Sequence, residues 1–212
     1  MAAQPLVRLS YDIPVETYEV NVMGTIHVME AIRATPSVKV GVMITTDKCY
    51  DNNEQKEGYV ETDPFGGYDP YSSSKGACEV AIQSWRRSFF NPQDYGSTHT
   101  VSLASVRAGN VIGGGDWALD RIIPDCIRAL EDARAIEIRS PKAVRPWEHV
   151  LEPLFGYMLL AKKMWIILPN IARVGTSGLK QKMHRPLGNG YGTHKELWQW
   201  RTERRIRPES VA

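Results

Sequence analysis

The chain has 212 residues, 42% of them hydrophobic and 24% charged, with 17 Gly, 13 Pro and three Cys. That size suits one domain or a little more, and a composition near the globular average excludes wholesale disorder and collagen-like structure. The net charge of +2 hides an asymmetry: residues 1–165 hold 17 basic and 21 acidic residues (net −4), whereas residues 166–212 hold 9 and 3 (net +6).

The N-terminus, MAAQPLVRLS, lacks the long apolar core of a secretory signal, and no apolar run approaches the roughly 18 residues of a membrane-spanning helix. Three scattered cysteines (Cys49, Cys78, Cys126) offer neither a disulfide framework nor C-x-x-C metal spacing. A cytoplasmic protein without membrane contact or metal is expected. Residues 14–34 predict a helix, with Pro14 in its first turn and Val20, Met23, Ile26, His27, Ala31 and Ile32 on one face. Gly24 inside it costs about 1 kcal/mol against Ala, which implies close packing there. Residues 38–45 (VKVGVMIT) read as a buried parallel strand. Residues 46–71 are polar and rich in Gly and Pro, a long loop of the kind that carries function. A helix over 70–90, a strand over 100–106, a Gly-rich turn over 108–117, a helix over 122–133, a short strand over 135–139 and a helix over 148–164 follow. This alternation predicts an α/β fold with a parallel sheet. After Trp165 the periodicity fails, and the tail reads as irregular apart from one turn near 196–200.

Four groups of residues carry chemistry. Tyr71 and Lys75, four apart on a helix, share one face, and an ammonium beside a phenol lowers its pKa and equips it to move a proton. Thr45, Thr46, Asp47 and Lys48 stand at the carboxyl end of a strand, where open α/β sheets bind ligands. Residues 107–117 (RAGNVIGGGDW) lack G-x-G-x-x-G spacing, but Asn110 and the backbone amides suit a sugar or phosphate. Arg121 and Arg145 suit a pyrophosphate. Taken singly, each has a plainer explanation: a solvated helix start, an Asp-capped turn, a flexible turn, surface arginines.

Together these segments resemble the extended short-chain dehydrogenase/reductase family of NAD-dependent epimerases and dehydratases. The residues carrying the resemblance are AAQPLVRLSY at 2–11, NVMGT at 21–25, TTDKCY at 45–50, YDPYSSSKGACE at 68–79, RAGNVIGGGDWALDRIIPD at 107–125 and RPWEHVLEPL at 145–154. The match is to the nucleotide-sugar 4,6-dehydratases, and Lys48 after Asp47 points to the branch whose sugar is carried on CDP. The resemblance implies that Tyr71 takes the sugar 4-hydroxyl proton and Thr46 bonds the 4-oxygen. It implies that Asp47 is the acid for the departing 6-hydroxyl and Lys48 a candidate for the C5 step. Lys75 would hold the nicotinamide ribose, with Ala3, Thr45 and Tyr71 also lining the NAD site. Asn110, Arg121 and Arg145 would hold the nucleotide diphosphate. A homodimer through the helices at 14–34 and 70–90 is a further implication.

Against the family pattern the chain begins as the fourth strand ends. The expectation is therefore a partial Rossmann-like parallel sheet without its first βαβαβ unit, part of a small substrate domain, and a basic tail (166–212) of unrelated sequence read in a shifted frame. Three readings follow: a dehydratase that works when the other half is supplied, a catalytically dead relic, or a binding protein using the basic tail on nucleic acid.

Overall fold

A computed structural model describes residues 3–53, 55, 58–136, 138 and 145–173, with side chains as far as residue 167. The helical run predicted over 14–34 is continuous but mixed. Helices α1 (Val7–Asp12) and α2 (Pro14–Tyr18) lead into a π turn at Glu19–Met23, which passes into α3 (Gly24–Ala34). The buried face differs from the expected one. Met29 is the wholly buried residue, with Val22, Ile26 and Ile32 packed beside it, while Val20 and Met23 face outward. Gly24 is not a close-packing site either: a Cβ there would meet nothing within 4 Å.

Strand β1 (Val40–Ile44) pairs in parallel with β2 (Ser102–Val106), from Val40 opposite Ser102 to Ile44 opposite Val106. The crossover between them is helix α4 (Pro70–Ser88). Met29, Cys78, Ile82, Phe90, Val101 and Leu103 form the core on the α3/α4 side of this pair. Ala104 and Val106 point to the opposite face by strand alternation and are also buried, because α6 (Leu151–Arg173) packs on both strands. β2 is buried on both faces, as parallel strands covered by helices are, whereas β1 is half-buried apart from Gly41.

The Gly-rich turn over 108–117 contains a strand that sequence reading missed. Strand β3 (Asn110–Ile112) pairs in parallel with β4 (Trp147–His149), Asn110 opposite Trp147. Three-residue strands are too short for periodicity to register. Pairing is tight: a Cβ on Gly109 would lie 2.6 Å from Pro146 and one on Gly113 2.7 Å from Val150. Between them, α5 (Ile122–Glu131) matches the predicted helix. Ala135 and Ile136, expected to begin a strand, are irregular, and Glu137 and Arg139 lie outside the described residues. Helix α6 runs through 166–173, where an irregular tail was expected; the rest of the tail lies outside the described residues. Among the described residues no helix is long and apolar enough to cross a membrane.

Candidate active site

The start of α4 sets the position of Tyr71. An α-helix leaves its first amides without internal partners. Here Pro70 has no N–H, Tyr71 N–H donates to Ser10 Oγ (3.1 Å), Ser72 N–H to Asp69 Oδ1 (2.9 Å) and Ser73 N–H to the Asp69 carbonyl (2.9 Å). Asp69 is the cap expected of its residue type, whereas Ser10 comes from α1. A buried polar relay continues from there. Gln4 N–H donates to Asn21 Oδ1 (2.9 Å), and Asn21 Nδ2 donates to the Gln4 carbonyl (3.1 Å) and to Ser74 Oγ (2.9 Å). Ser74 Oγ donates to the Tyr71 carbonyl (2.7 Å). Ser10, Asn21 and Ser74 are at most 2% exposed, so the relay fixes the helix start from the inside.

Residues 46–48 sit opposite. The parallel ladder runs on past β1, with Thr45 N–H donating to the Val106 carbonyl (2.8 Å) and Asp47 N–H to that of Ala108 (3.2 Å). A 3-10 turn at Asp47–Cys49 follows, and Thr46 Oγ1 donates to Asp47 Oδ1 (3.0 Å). The long loop then closes on itself: Asp51 N–H donates to the Pro64 carbonyl (3.0 Å), Gly66 N–H to that of Cys49 (2.9 Å), and Tyr50 stacks on Tyr59. Gly76 on α4 meets this loop so closely that a Cβ would lie 2.6 Å from the Gly66 carbonyl oxygen.

These elements bring Tyr71, Thr46, Asp47 and Arg121 into one neighbourhood, with Lys75 one turn further along α4. Tyr71 is 8% exposed, with the Thr46 side chain beside its hydroxyl. Burial pushes the phenol above its ordinary value, with the charge of Asp47 adding to the rise; the Thr46 side chain and the charge of Arg121 act against it. The net direction corrects the sequence expectation of a phenol lowered by Lys75: the positive charge acting on Tyr71 is that of Arg121, and desolvation of the phenolate outweighs it. Burial also pushes the Lys75 ammonium below its ordinary value, the Cys78 thiol opposing. No hydrogen bond joins the Lys75 ammonium to another described residue, so its donors can serve a ribose hydroxyl.

The other expected site residues are placed less uniformly. Thr45 turns its hydroxyl inward, to the carboxylate of Glu79. Lys48 is half-buried, and Ala3 is exposed. The β3/β4 pair carries Asn110 and Arg145 to one place, with Asn110 N–H donating to the Pro146 carbonyl (3.0 Å). Asn110 Oδ1 is buried with no hydrogen-bond partner among the described residues, the condition that a ligand donor relieves. Arg121 Nε lies 3.3 Å from Asp116 Oδ2 as an ion pair. Glu79 and Arg107, buried and paired at 2.7 Å, were missed. Their signal was a carboxylate on the same helix stripe as Tyr71 and Lys75, otherwise set among apolar neighbours.

Comparison with known proteins agrees with this architecture. Residues 1–165 match the NAD dependent epimerase/dehydratase family, to which the chain therefore belongs. Over 165 residues it is 58% identical to the CDP-glucose 4,6-dehydratase of Salmonella typhimurium, a match covering 78% of this chain and 46% of that protein. It is 31% identical over 163 residues to human dTDP-D-glucose 4,6-dehydratase, covering 76% and 43%. The chain thus spans about half the length of the curated relatives it matches. Among solved structures, the dTDP-glucose 4,6-dehydratase of Streptomyces venezuelae with NAD bound superposes with a TM-score of 0.65 at 20% identity, covering 76% of this chain and 46% of that one. That likeness is one of fold.

Proposed function

We propose that this chain carries the proton-handling and substrate-holding part of a CDP-glucose 4,6-dehydratase. The observation that carries the reading is the buried Tyr71 hydroxyl set beside Thr46, Asp47 and Arg121, within a stretch 58% identical to such an enzyme. The residues present fit the nicotinamide-ribose end of NAD, through the buried Lys75 and Tyr71. They do not fit its pyrophosphate, since none of the 17 glycines of this sequence falls into G-x-G-x-x-G spacing. NAD, when bound, would accept a hydride from sugar C4 and return it at C6.

The side chains then have distinct tasks. A sugar 4-hydroxyl enters between the Thr46 and Tyr71 hydroxyls and bonds to both. Tyr71 Oη removes its proton as C4 is oxidised, and Thr46 Oγ1 donates to the resulting ketone oxygen. The 4-keto group acidifies the C5 proton, which Lys48 is placed in the sequence to accept. Asp47 protonates the departing 6-hydroxyl, water leaves across C5–C6, and Lys48 gives its proton back to C5 as the hydride would reach C6. Substrate and product differ by that one water, and the reaction is redox-neutral. Lys75 holds the ribose, with Ala3 and Thr45 contributing backbone, while Asn110, Arg121 and Arg145 hold the nucleotide diphosphate. Free cysteines fit a cytoplasmic setting. The apolar groove of Pro14, Val15, Tyr18, Val22 and Met23 fits a homodimer contact.

Titration calorimetry with CDP-glucose tests the substrate assignment. Binding should be tighter than for dTDP-glucose, weaken about tenfold in Arg121→Ala as one charge-assisted contact is lost, and survive in Tyr71→Phe. Equal affinity for the two nucleotide sugars, or none for either, would refute it.

A further inference from the structure

Residues 46–48 lie between two side chains held by the same buried ion pair. Glu79 is 1% exposed. Its two carboxylate oxygens accept from Thr45 Oγ1, from Ser105 Oγ at 2.9 Å and from Arg107 Nε at 2.7 Å. Arg107 donates in turn from Nη1 to Tyr50 Oη, and its guanidinium lies 5.0 Å from the Tyr50 ring centroid and 4.9 Å from that of Phe65. Burial works to lower the Arg107 pKa, but the hydrogen bond and charge of Glu79 more than offset it and raise it overall. A buried pair of this kind is a poor choice for stability alone, since apolar residues of similar volume do as well or better. What a bidentate acceptor and a planar fork supply is direction.

We propose that the Glu79–Arg107 pair is a positioning device for residues 46–48, clamping Thr45 through the carboxylate and Tyr50 through the guanidinium. Tyr71, Lys75 and Glu79 follow one another at i, i+4 and i+8 on α4, a single helix stripe. The helix that presents Tyr71 therefore also holds both ends of the segment bearing Thr46 and Asp47. The distance between proton acceptor and proton donor is set by one rigid element rather than by a free loop. The catalytic meaning of this clamp rests on the dehydratase reading above; the clamp itself does not.

Cys49 reports on the clamp without any need for turnover. It ends the 3-10 turn inside the clamped segment and has no exposed surface; Cys78, on α4 in the core, is 1% exposed and reports general loosening. The experiment is iodoacetamide labelling of the full chain under native conditions, resolved by peptide mass spectrometry. Glu79→Gln should raise the Cys49 rate about tenfold or more relative to Cys78, because it leaves Arg107 buried without its partner and lets the segment open locally. Tyr50→Phe removes one hydroxyl, leaves both charges in place and should raise Cys49 labelling by a smaller factor; it carries the test if Glu79→Gln does not fold. Cys49 and Cys78 rising together, or an unchanged Cys49 rate in the folded variants, would overturn the proposal. Selective opening at Cys49 in a chain that ignores CDP-glucose would sink the dehydratase reading and leave the clamp standing.

Discussion

Replacing Asn21 by Ala tests whether the buried relay holds the start of α4. Asn21 is 2% exposed, and its amide satisfies both backbone groups of Gln4, itself 8% exposed. The substitution leaves that N–H and C=O without partners, at about 1–3 kcal/mol each. Ser74 loses a donor to its oxygen but keeps its own bond to the Tyr71 carbonyl, so that loss adds little. Ala returns about 0.5 kcal/mol of helix propensity. The net expectation is a destabilisation of about 2–5 kcal/mol, a large share of the 5–15 kcal/mol typical of a domain. Urea unfolding followed by far-UV circular dichroism should show the midpoint falling by about 1–2 M with the slope unchanged. Gln4→Ala keeps the backbone bonds to Asn21 and loses two side-chain bonds, Nε2 donating to Thr17 Oγ1 (2.9 Å) and Oε1 accepting from Leu6 N–H, so it should cost about 1–2 kcal/mol. If Asn21→Ala matches the parent within about 0.5 kcal/mol, the range of a neutral surface change, the relay is not what holds this helix.

Four further outcomes are expected. Gly76→Ala should destabilise by about 1–3 kcal/mol although Ala is the better helix former, because the new Cβ meets backbone oxygens of Gly66 and Cys49 at 2.6 and 3.2 Å; a raised melting temperature would refute the contact. Burial pushes the Cys49 thiol from 9.0 up to about 12. Its contribution is therefore complete below pH 9 and is lost as pH rises toward 12, with a slope of at most about 1.4 kcal/mol per pH unit, which Cys49→Ala should flatten in alkaline unfolding curves. In any preparation that turns over CDP-glucose with NAD, Tyr71→Phe should abolish product without loss of fold. Asp47→Asn should slow water loss more than the first oxidation, seen as reduced NAD building up at 340 nm, on the order of 10²-fold for a lost general acid; equal loss of both steps would remove Asp47 from that role.

Much of the architecture was legible because its signals are local. The apolar run around Val40 and the helix bearing Ala77, Ile82 and Trp85 announce strand and helix through nearest neighbours. The helix face at 14–34 was read correctly at Ile26 and Ile32 but not at its start, where the π turn at Glu19–Met23 packs Val22 on the core in place of Val20 and Met23; Met29, not expected on the face, is wholly buried. The tail boundary was placed where composition changes, yet α6 continues through 166–173. A helix continues while its residues tolerate it, whatever the ancestry of the sequence.

The sequence by itself determined the α/β alternation, the i, i+4 pairing of Tyr71 with Lys75, and the strand end that presents Thr46 and Asp47, since each depends on spacing along one element. Only the tertiary structure decided which polar residues are inside. Asn21, Glu79 and Arg107 look like ordinary helix and strand-end residues until partners 17, 34 and 57 positions away close around them. The same holds for the direction of the Tyr71 pKa. The positive charge that acts on the phenol is Arg121, far along the chain, rather than Lys75 four residues away, and desolvation, the larger effect, is a property of everything packed around it.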